Sequence, residues 1–135
     1  VVDAYGGVGL FTATVVPTGV QCVVVESSES ACADAYANLR SHSAEVVQAR
    51  FEHWVTQPAG LVIADPARSG LGKPGVATIV ETGAPRVVLV SCDAVAAARD
   101  ARLLVDAGYR PLSVEVLDLF PHTHHTEVVA SYERS

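Results

Sequence analysis

No methionine occurs in these 135 residues, and aromatic side chains make up only 6% of them. The chain nevertheless opens directly on a strand-like Val1-Val2-Asp3, so we expect it to be the carboxyl-terminal part of a longer protein. Long apolar runs are missing. None approaches the ~18 residues of a membrane span, and no succession of basic, apolar and small residues marks a secretion signal. Basic residues are also scarce, 9 against 15 acidic for a net charge of −6. That balance excludes a free-standing nucleic-acid grip, which uses Lys and Arg to displace phosphate counterions. If RNA is a substrate, another segment is expected to hold it. Cysteines number three, Cys22, Cys32 and Cys92, with neither a C-x-x-C pair nor the even count of a disulfide framework. A reducing, cytoplasmic setting follows as an expectation.

What is present is apolar surface: 50% of the residues are hydrophobic, enough for one core and too little chain for two. We expect a single domain over 1–135, and a monomer. Strand patterns lie near Val1 to Ala4, Gln21 to Val25, Glu45 to Ala49, Leu61 to Ala64 and Arg86 to Val90, with helical patterns between several of them. This alternation predicts a parallel, helix-covered sheet. One helix opens at Ser27 or Ser28 as N-cap, with Glu29 in its first turn and Ala31, Ala35 and Leu39 along one face. Another periodic segment runs from Val95 through Ala98, Leu103 and Val105 to a stop at Gly108. Two last strands, Leu112 to Leu117 and Thr126 to Tyr132, read as an antiparallel edge pair joined by Phe120 to His125.

Asp3-Ala4-Tyr5-Gly6-Gly7-Val8-Gly9 follows the first strand, where glycines let a backbone approach a ligand closely. A dinucleotide fingerprint starting at Gly7 and Gly9 meets Thr12 where its third glycine belongs, and no G-x-x-x-x-G-K-[ST] occurs. NAD and a P-loop are therefore disfavoured. Glu26 stands directly after Cys22-Val23-Val24-Val25, a place from which a carboxylate accepts both hydrogen bonds of a ribose diol. S-adenosylmethionine offers such a diol without a pyrophosphate. The plain alternatives are a tight strand-to-helix turn for the glycines and a helix-start acid for Glu26.

Asp65-Pro66-Ala67-Arg68-Ser69-Gly70-Leu71-Gly72 continues Leu61-Val62-Ile63-Ala64, so Asp65 stands at a strand end on a loop shaped by proline and glycine. Its alternative is a turn with an N-cap acid. Cys92 closes Val87-Val88-Leu89-Val90, an address where open α/β sheets bind ligands, and it is a candidate nucleophile. On residue type alone, a free cysteine is more often a small buried hydrophobe. Phe120-Pro121-His122-Thr123-His124-His125-Thr126-Glu127 supplies a carboxylate some thirty residues on. Its H-x-H-H lacks the helical i, i+4 spacing of metal ligands, and no metal site is expected.

Together these segments resemble the catalytic domain of the RNA 5-methyluridine methyltransferases, which modify uracil carbon 5 in transfer or ribosomal RNA. The family pattern is an Asp, two residues, then Cys-Gly-x-Gly; an acid after the second strand; Asp-Pro-Pro-Arg-x-Gly; Ser-Cys-Asn/Asp-Pro; and Phe-Pro-x-Thr-x-His-x-Glu. The last three stand here at Asp65 to Gly70, Ser91 to Asp93 and Phe120 to Glu127, with Gly6, Ala67 and Ala94 as departures. Arg50 occupies a place where the family usually has a polar or acidic residue near the adenine. The family's uracil-holding glutamine, RNA-binding β-barrel and iron–sulfur cysteines lie outside this chain.

The resemblance implies a class I, Rossmann-like S-adenosylmethionine-dependent methyltransferase sheet, mostly parallel, with an antiparallel carboxyl-terminal edge hairpin. It implies cofactor contacts from Asp3, Tyr5, Gly7, Gly9, Glu26 and Asp65. It implies that Cys92 adds to carbon 6 of the uracil and that Glu127 removes the carbon 5 proton. The alternative expectation is a truncated or inactive methyltransferase fold acting as a binding module. A small-molecule or DNA cytosine methyltransferase would carry Pro-Cys or Asn-Pro-Pro-Tyr motifs, and neither occurs.

Overall fold

A computed structural model describes residues 1–119, 121–122 and 126–135. Its strands are β1 (Val2–Ala4), β2 (Cys22–Glu26), β3 (Ala44–Gln48), β4 (Val62–Ala64), β5 (Arg86–Ser91), β6 (Tyr109–Leu117) and β7 (Glu127–Arg134). The helices are α1 (Leu10–Val15), α2 (Glu29–Asn38), α3 (Gly72–Glu81) and α4 (Ala94–Asp106), with one 3-10 turn at Phe51–His53. All seven strands form one sheet in the order β3-β2-β1-β4-β5-β7-β6, parallel through β5 and antiparallel for β7 and β6. The class I architecture that the motifs implied is the one observed.

Why these segments are strands follows from what covers them. β1 and β4 are buried at every position, as parallel strands between two helical layers must be; β4 reads as an unbroken apolar run, while β1 carries the buried Asp3 at its centre. On one side Val76 and Ile79 of α3 and Leu104 of α4 pack on Val2, Ala4, Val62, Ala64, Val87 and Leu89. On the other, Phe11, Ala35 and Leu39 of α1 and α2 pack on Cys22, Val24 and Ile63. β7, between β5 and the edge strand β6, alternates half-buried and buried residues through Tyr132 with the period of two of a strand.

α2 starts as its sequence requires: Ser28 is the N-cap, its hydroxyl accepting from the Ala31 amide at 3.4 Å, and Ala35 and Leu39 are buried. The edge pair is longer than its apolar pattern. β6 begins at Tyr109, and a register shift between Pro111 and Ser113 accommodates a proline that cannot donate to the ladder. The face of α4 differs from the one expected from Val95, Ala98, Leu103 and Val105. Val95 is 80% exposed, and the buried positions are Ala96, Ala97, Asp100 and Leu104. An apolar-only periodicity passes over a buried aspartate.

The chain runs outward from β1 to β2 and β3, then jumps back to β4 on the other flank of β1. Such a reversal opens a crevice at the carboxyl ends of the two central strands. Register fixes what borders it: Ala4 pairs with Val25 and Ala64, and Ala64 with Leu89, so Tyr5, Glu26, Asp65 and Cys92 all follow the same edge of the sheet.

Candidate active site

The crevice is a cavity of about 500 Å³ lined by residues that include Tyr5, Val25, Glu26, Ala49, Phe51, Glu52 and Asp65. Its size lies within the ~300–1,000 Å³ span of small-molecule clefts. Of the six residues assigned to a cofactor, Tyr5, Glu26 and Asp65 line it. Asp3, Gly7 and Gly9 stand behind the lining and shape the turn. Tyr5, Gly7 and Gly9 all adopt left-handed backbone, with φ of 59°, 53° and 83°. Gly9 is also the N-cap of α1; its left-handed φ favours glycine, and a Cβ there would stand 2.9 Å from Leu39 Cδ1 at the end of α2, forcing that side chain to shift.

Glu26 ties this turn to α2. One carboxylate oxygen accepts from the Gly7 amide at 3.0 Å and the other from the Ser28 amide at 2.7 Å, which fixes the side chain at the rim of the cavity. The carboxylate retains lone pairs for a further donor, as a ribose diol requires. Tyr5 is held by its hydroxyl, which donates to Glu52 at 2.6 Å, and by its ring, which meets Phe51 at 5.3 Å. Burial, with the neighbouring Glu52 carboxylate, pushes the Tyr5 phenol far above its ordinary range, so it remains a donor. Arg50 lines the cavity and, itself largely exposed, faces the mostly covered Glu52 carboxylate at 3.6 Å. Phe51 and Glu52 were not legible as site residues. Their only signal is the sequence Phe51-Glu52-His53-Trp54 after a strand, whose aromatics stack at 6.0 Å.

Asp3 is fully buried behind this wall. Its Oδ2 accepts from the Thr12 amide at 3.1 Å and the Thr12 hydroxyl at 2.7 Å, while among the described residues Oδ1 finds no donor. Burial raises its pKa above the ordinary 3.8, against the lowering effect of the Thr12 bonds. The folded state therefore holds this proton more tightly than the unfolded chain. That contribution to stability is complete below the ordinary value and is lost as pH rises through the folded pKa. Asp3→Asn keeps an acceptor for Thr12 and removes the titration. The melting temperature of the variant minus that of the wild type should rise as pH increases from about 4 to 7. A difference that is flat with pH contradicts this reading of Asp3.

Cys92 follows β5 and is half-buried, unlike Cys22, which is 3% exposed and fits the plain description of a small core residue. All three cysteines are free thiols. Burial pushes the Cys22 and Cys32 thiols up, making both weaker sources of thiolate. The turn that carries Cys92 is fixed on both sides. The Ser91 hydroxyl donates to the Asp93 carbonyl at 3.0 Å, and the Asp93 carboxylate caps α4 by accepting from the Ala96 amide at 2.7 Å.

Glu127 begins β7, and Ser91 pairs with Val128, so Cys92 and Glu127 each stand one residue beyond that terminal pair, at the same end of the antiparallel ladder. Thirty-odd residues of sequence separation thus become adjacency at one sheet end. Asp65 and Glu127 border a second, largely apolar cavity of about 610 Å³ together with Ile63, Val88 and Val90. Withdrawal from water raises the Asp65 carboxyl, and the charges of Glu127 and Asp3 act in the same direction. Of the connecting turn, Pro121 and His122 are described, His122 with a left-handed φ of 69°. Phe120, Thr123, His124 and His125 lie outside the described residues. Among the described residues no three His, Cys, Asp or Glu side chains converge as a metal site, and no helix is long and apolar enough to cross a membrane.

No family model matches the chain. Individual proteins do. It is 35% identical over 145 residues to the 23S rRNA (uracil(1939)-C(5))-methyltransferase RlmD of Aeromonas hydrophila, covering 99% of this chain and 32% of that protein. An RNA methyltransferase of Caldanaerobacter subterraneus is 34% identical over 143 residues, with 99% and 32% covered. Among solved structures, the Pyrococcus abyssi tRNA (uracil-54, C5)-methyltransferase in complex with S-adenosyl-L-homocysteine superposes with a TM-score of 0.86 at 32% identity, over 97% of this chain and 33% of that one. A Thermoplasma acidophilum protein structure matches at TM-score 0.79 and 14% identity, a likeness of fold alone. The fold and its crevice are those of a class I S-adenosylmethionine-dependent methyltransferase. Within that class the chain's kinship is with the RNA uracil-5-methyltransferases, and it spans about a third of the length of these relatives.

Proposed function

We propose that this chain is the catalytic domain of an S-adenosylmethionine-dependent enzyme that methylates carbon 5 of a uridine in transfer or ribosomal RNA through a covalent cysteine adduct. The observation that carries the reading is the ladder pairing of Ser91 with Val128, which brings Cys92 and Glu127 to the sheet edge where Asp65 borders the cofactor-sized cavity.

The residues fit S-adenosylmethionine. Glu26 presents fixed carboxylate oxygens to the ribose, Val25, Ala49 and Phe51 give an aromatic base an apolar wall, and Tyr5 and Asp65 add polar groups to the lining. Bound there, the cofactor supplies an electrophilic methyl group. Cys92 Sγ adds to carbon 6 of the uracil and pushes electron density to carbon 5, which becomes nucleophilic. After carbon 5 has taken the methyl group, Glu127 accepts its proton and the Cys92 sulfur leaves as the ring double bond reforms. In this reading Asp65, whose carboxyl pKa is raised by burial, contacts the edge of the cofactor or of the flipped uracil.

The net charge of −6 assigns the grip on RNA to other segments of a longer protein. In filter-binding titrations at near-physiological salt the chain alone should bind RNA no tighter than the ~10⁻⁴–10⁻⁶ M of nonspecific association. Tight, salt-sensitive binding contradicts this electrostatic assignment. The function itself is tested by nucleoside mass spectrometry of RNA from cells lacking the protein. One 5-methyluridine should be missing, and an unchanged 5-methyluridine complement in both RNA classes sinks the proposal.

A further inference from the structure

The buried aspartate of α4 has no place in the chemistry described so far, yet it bonds the two residues that directly follow the cavity-lining segment Asp65 to Gly70. Asp100 is 1% exposed, and its carboxylate accepts from the Leu71 amide at 2.6 Å and the Gly72 amide at 3.0 Å. Those amides open α3, which has no capping side chain of its own. A helix leaves its first amides without intrahelical partners, and an anion there is favoured by the helix dipole. Asp100 therefore caps α3 from a different helix.

Arg99 completes the junction. Its guanidinium donates to Asp100 Oδ1 at 2.8 Å and to the Ser69 carbonyl at 2.6 Å. The approach is close enough to require glycine: a Cβ on Gly70, whose φ is +72°, would stand 2.2 Å from Asp100 Oδ2 and 2.6 Å from Arg99 Nη2. The loop held in this way contributes Asp65, Pro66, Ala67, Ser69 and Gly70 to the cavity. The helix that holds it is capped by Asp93, the residue after Cys92. One rigid helix thus connects the cysteine turn at its start to the cavity wall two turns further on.

We propose that Arg99 and Asp100 are positioning residues that act through the 65–72 loop, fixing the cavity wall relative to Cys92 and thereby the methyl group relative to the base. The inference rests on the methyltransferase reading given above. Displacements of about 1 Å in reacting geometry are worth roughly 10²-fold in rate, so a loosened loop should affect turnover more than it affects folding.

The test uses the full-length enzyme with Asp100→Asn, Arg99→Met and Arg99→Lys. S-adenosylhomocysteine binding is measured by calorimetry, where stoichiometry reports the folded fraction, and kcat and the cofactor KM are measured separately. Asp100→Asn should weaken S-adenosylhomocysteine binding by about tenfold at full stoichiometry and lower kcat by roughly 10²-fold. Arg99→Met should shift both in the same direction by less, with partial recovery in Arg99→Lys. If Asp100→Asn does not fold, the Arg99 pair decides, because that side chain is 49% exposed and its loss leaves the helix intact. A merely structural brace lowers the melting temperature and the stoichiometry but leaves the dissociation constant and the kcat of the folded molecules at wild-type values, and that result overturns the proposal. A wild type that binds no S-adenosylhomocysteine overturns the methyltransferase reading and this inference with it. A wild type that binds and turns over, with variants that match it, overturns the positioning role alone.

Discussion

Replacing Cys92 by alanine in the full-length enzyme should abolish the covalent protein–RNA adduct and reduce 5-methyluridine formation by roughly 10⁴-fold or more, the scale on which removal of a covalent nucleophile is felt. Glu127→Gln should fail differently. With the thiol intact, the ring is still attacked at carbon 6 and methylated at carbon 5, but the carbon 5 proton has no acceptor and the adduct cannot collapse. It should accumulate as a species stable to denaturing electrophoresis. The two residues stand just beyond the terminal Ser91–Val128 pair of the β5–β7 ladder, so neither substitution disturbs the packing of the parallel core. Cys92→Ala methylating at a normal rate, or Glu127→Gln turning over without adduct, rules out the mechanism and returns Cys92 to the role of a structural thiol.

The second large effect is expected at Glu26. Its carboxylate already holds the Gly7 and Ser28 amides, so the side chain is rigid before any ligand arrives. A fixed, charged acceptor for the ribose diol is worth about 1.5–3 kcal/mol. Glu26→Ala should therefore weaken S-adenosylmethionine binding by ~10–150-fold in calorimetry. Melting of the same variant separates this loss from loosening of the turn, because a structural effect alone reduces the folded fraction and not the affinity of what remains folded. Undiminished affinity removes Glu26 from the cofactor site.

Much of this site could be read from residue order because parallel strands write themselves as apolar runs. Once Val2–Ala4, Cys22–Glu26, Val62–Ala64 and Arg86–Ser91 are recognised as neighbours in one sheet, the residues that follow them must share an edge. Glu26, Asp65 and Cys92 were legible for that reason, whereas Tyr5 was singled out only by the family resemblance. Glu127 was legible as a strand start, but its adjacency to Cys92 depends on β7 inserting between β5 and β6, a choice of order that no local pattern encodes.

The missed features share a physical cause. Phe51 and Glu52 reach the cavity from a 3-10 turn too short to show periodicity. Asp100 is buried because two backbone amides and a guanidinium satisfy it, a condition invisible to a reading that equates burial with apolarity. The same blindness misplaced the inner face of α4, where Val95 turned out exposed and Asp100 turned inward.

Trapping with RNA that carries 5-fluorouridine, followed by peptide mass spectrometry, tests the central claim most directly. Fluorine at carbon 5 cannot leave as a cation, so the methylated adduct has no route to elimination. The full-length wild type incubated with S-adenosylmethionine should yield a single cross-linked peptide containing Cys92, with a mass that includes the methylated fluorouridine. Methylation of normal RNA by an enzyme that gives no cross-link, or a cross-link carried by Cys22 or Cys32, contradicts the account.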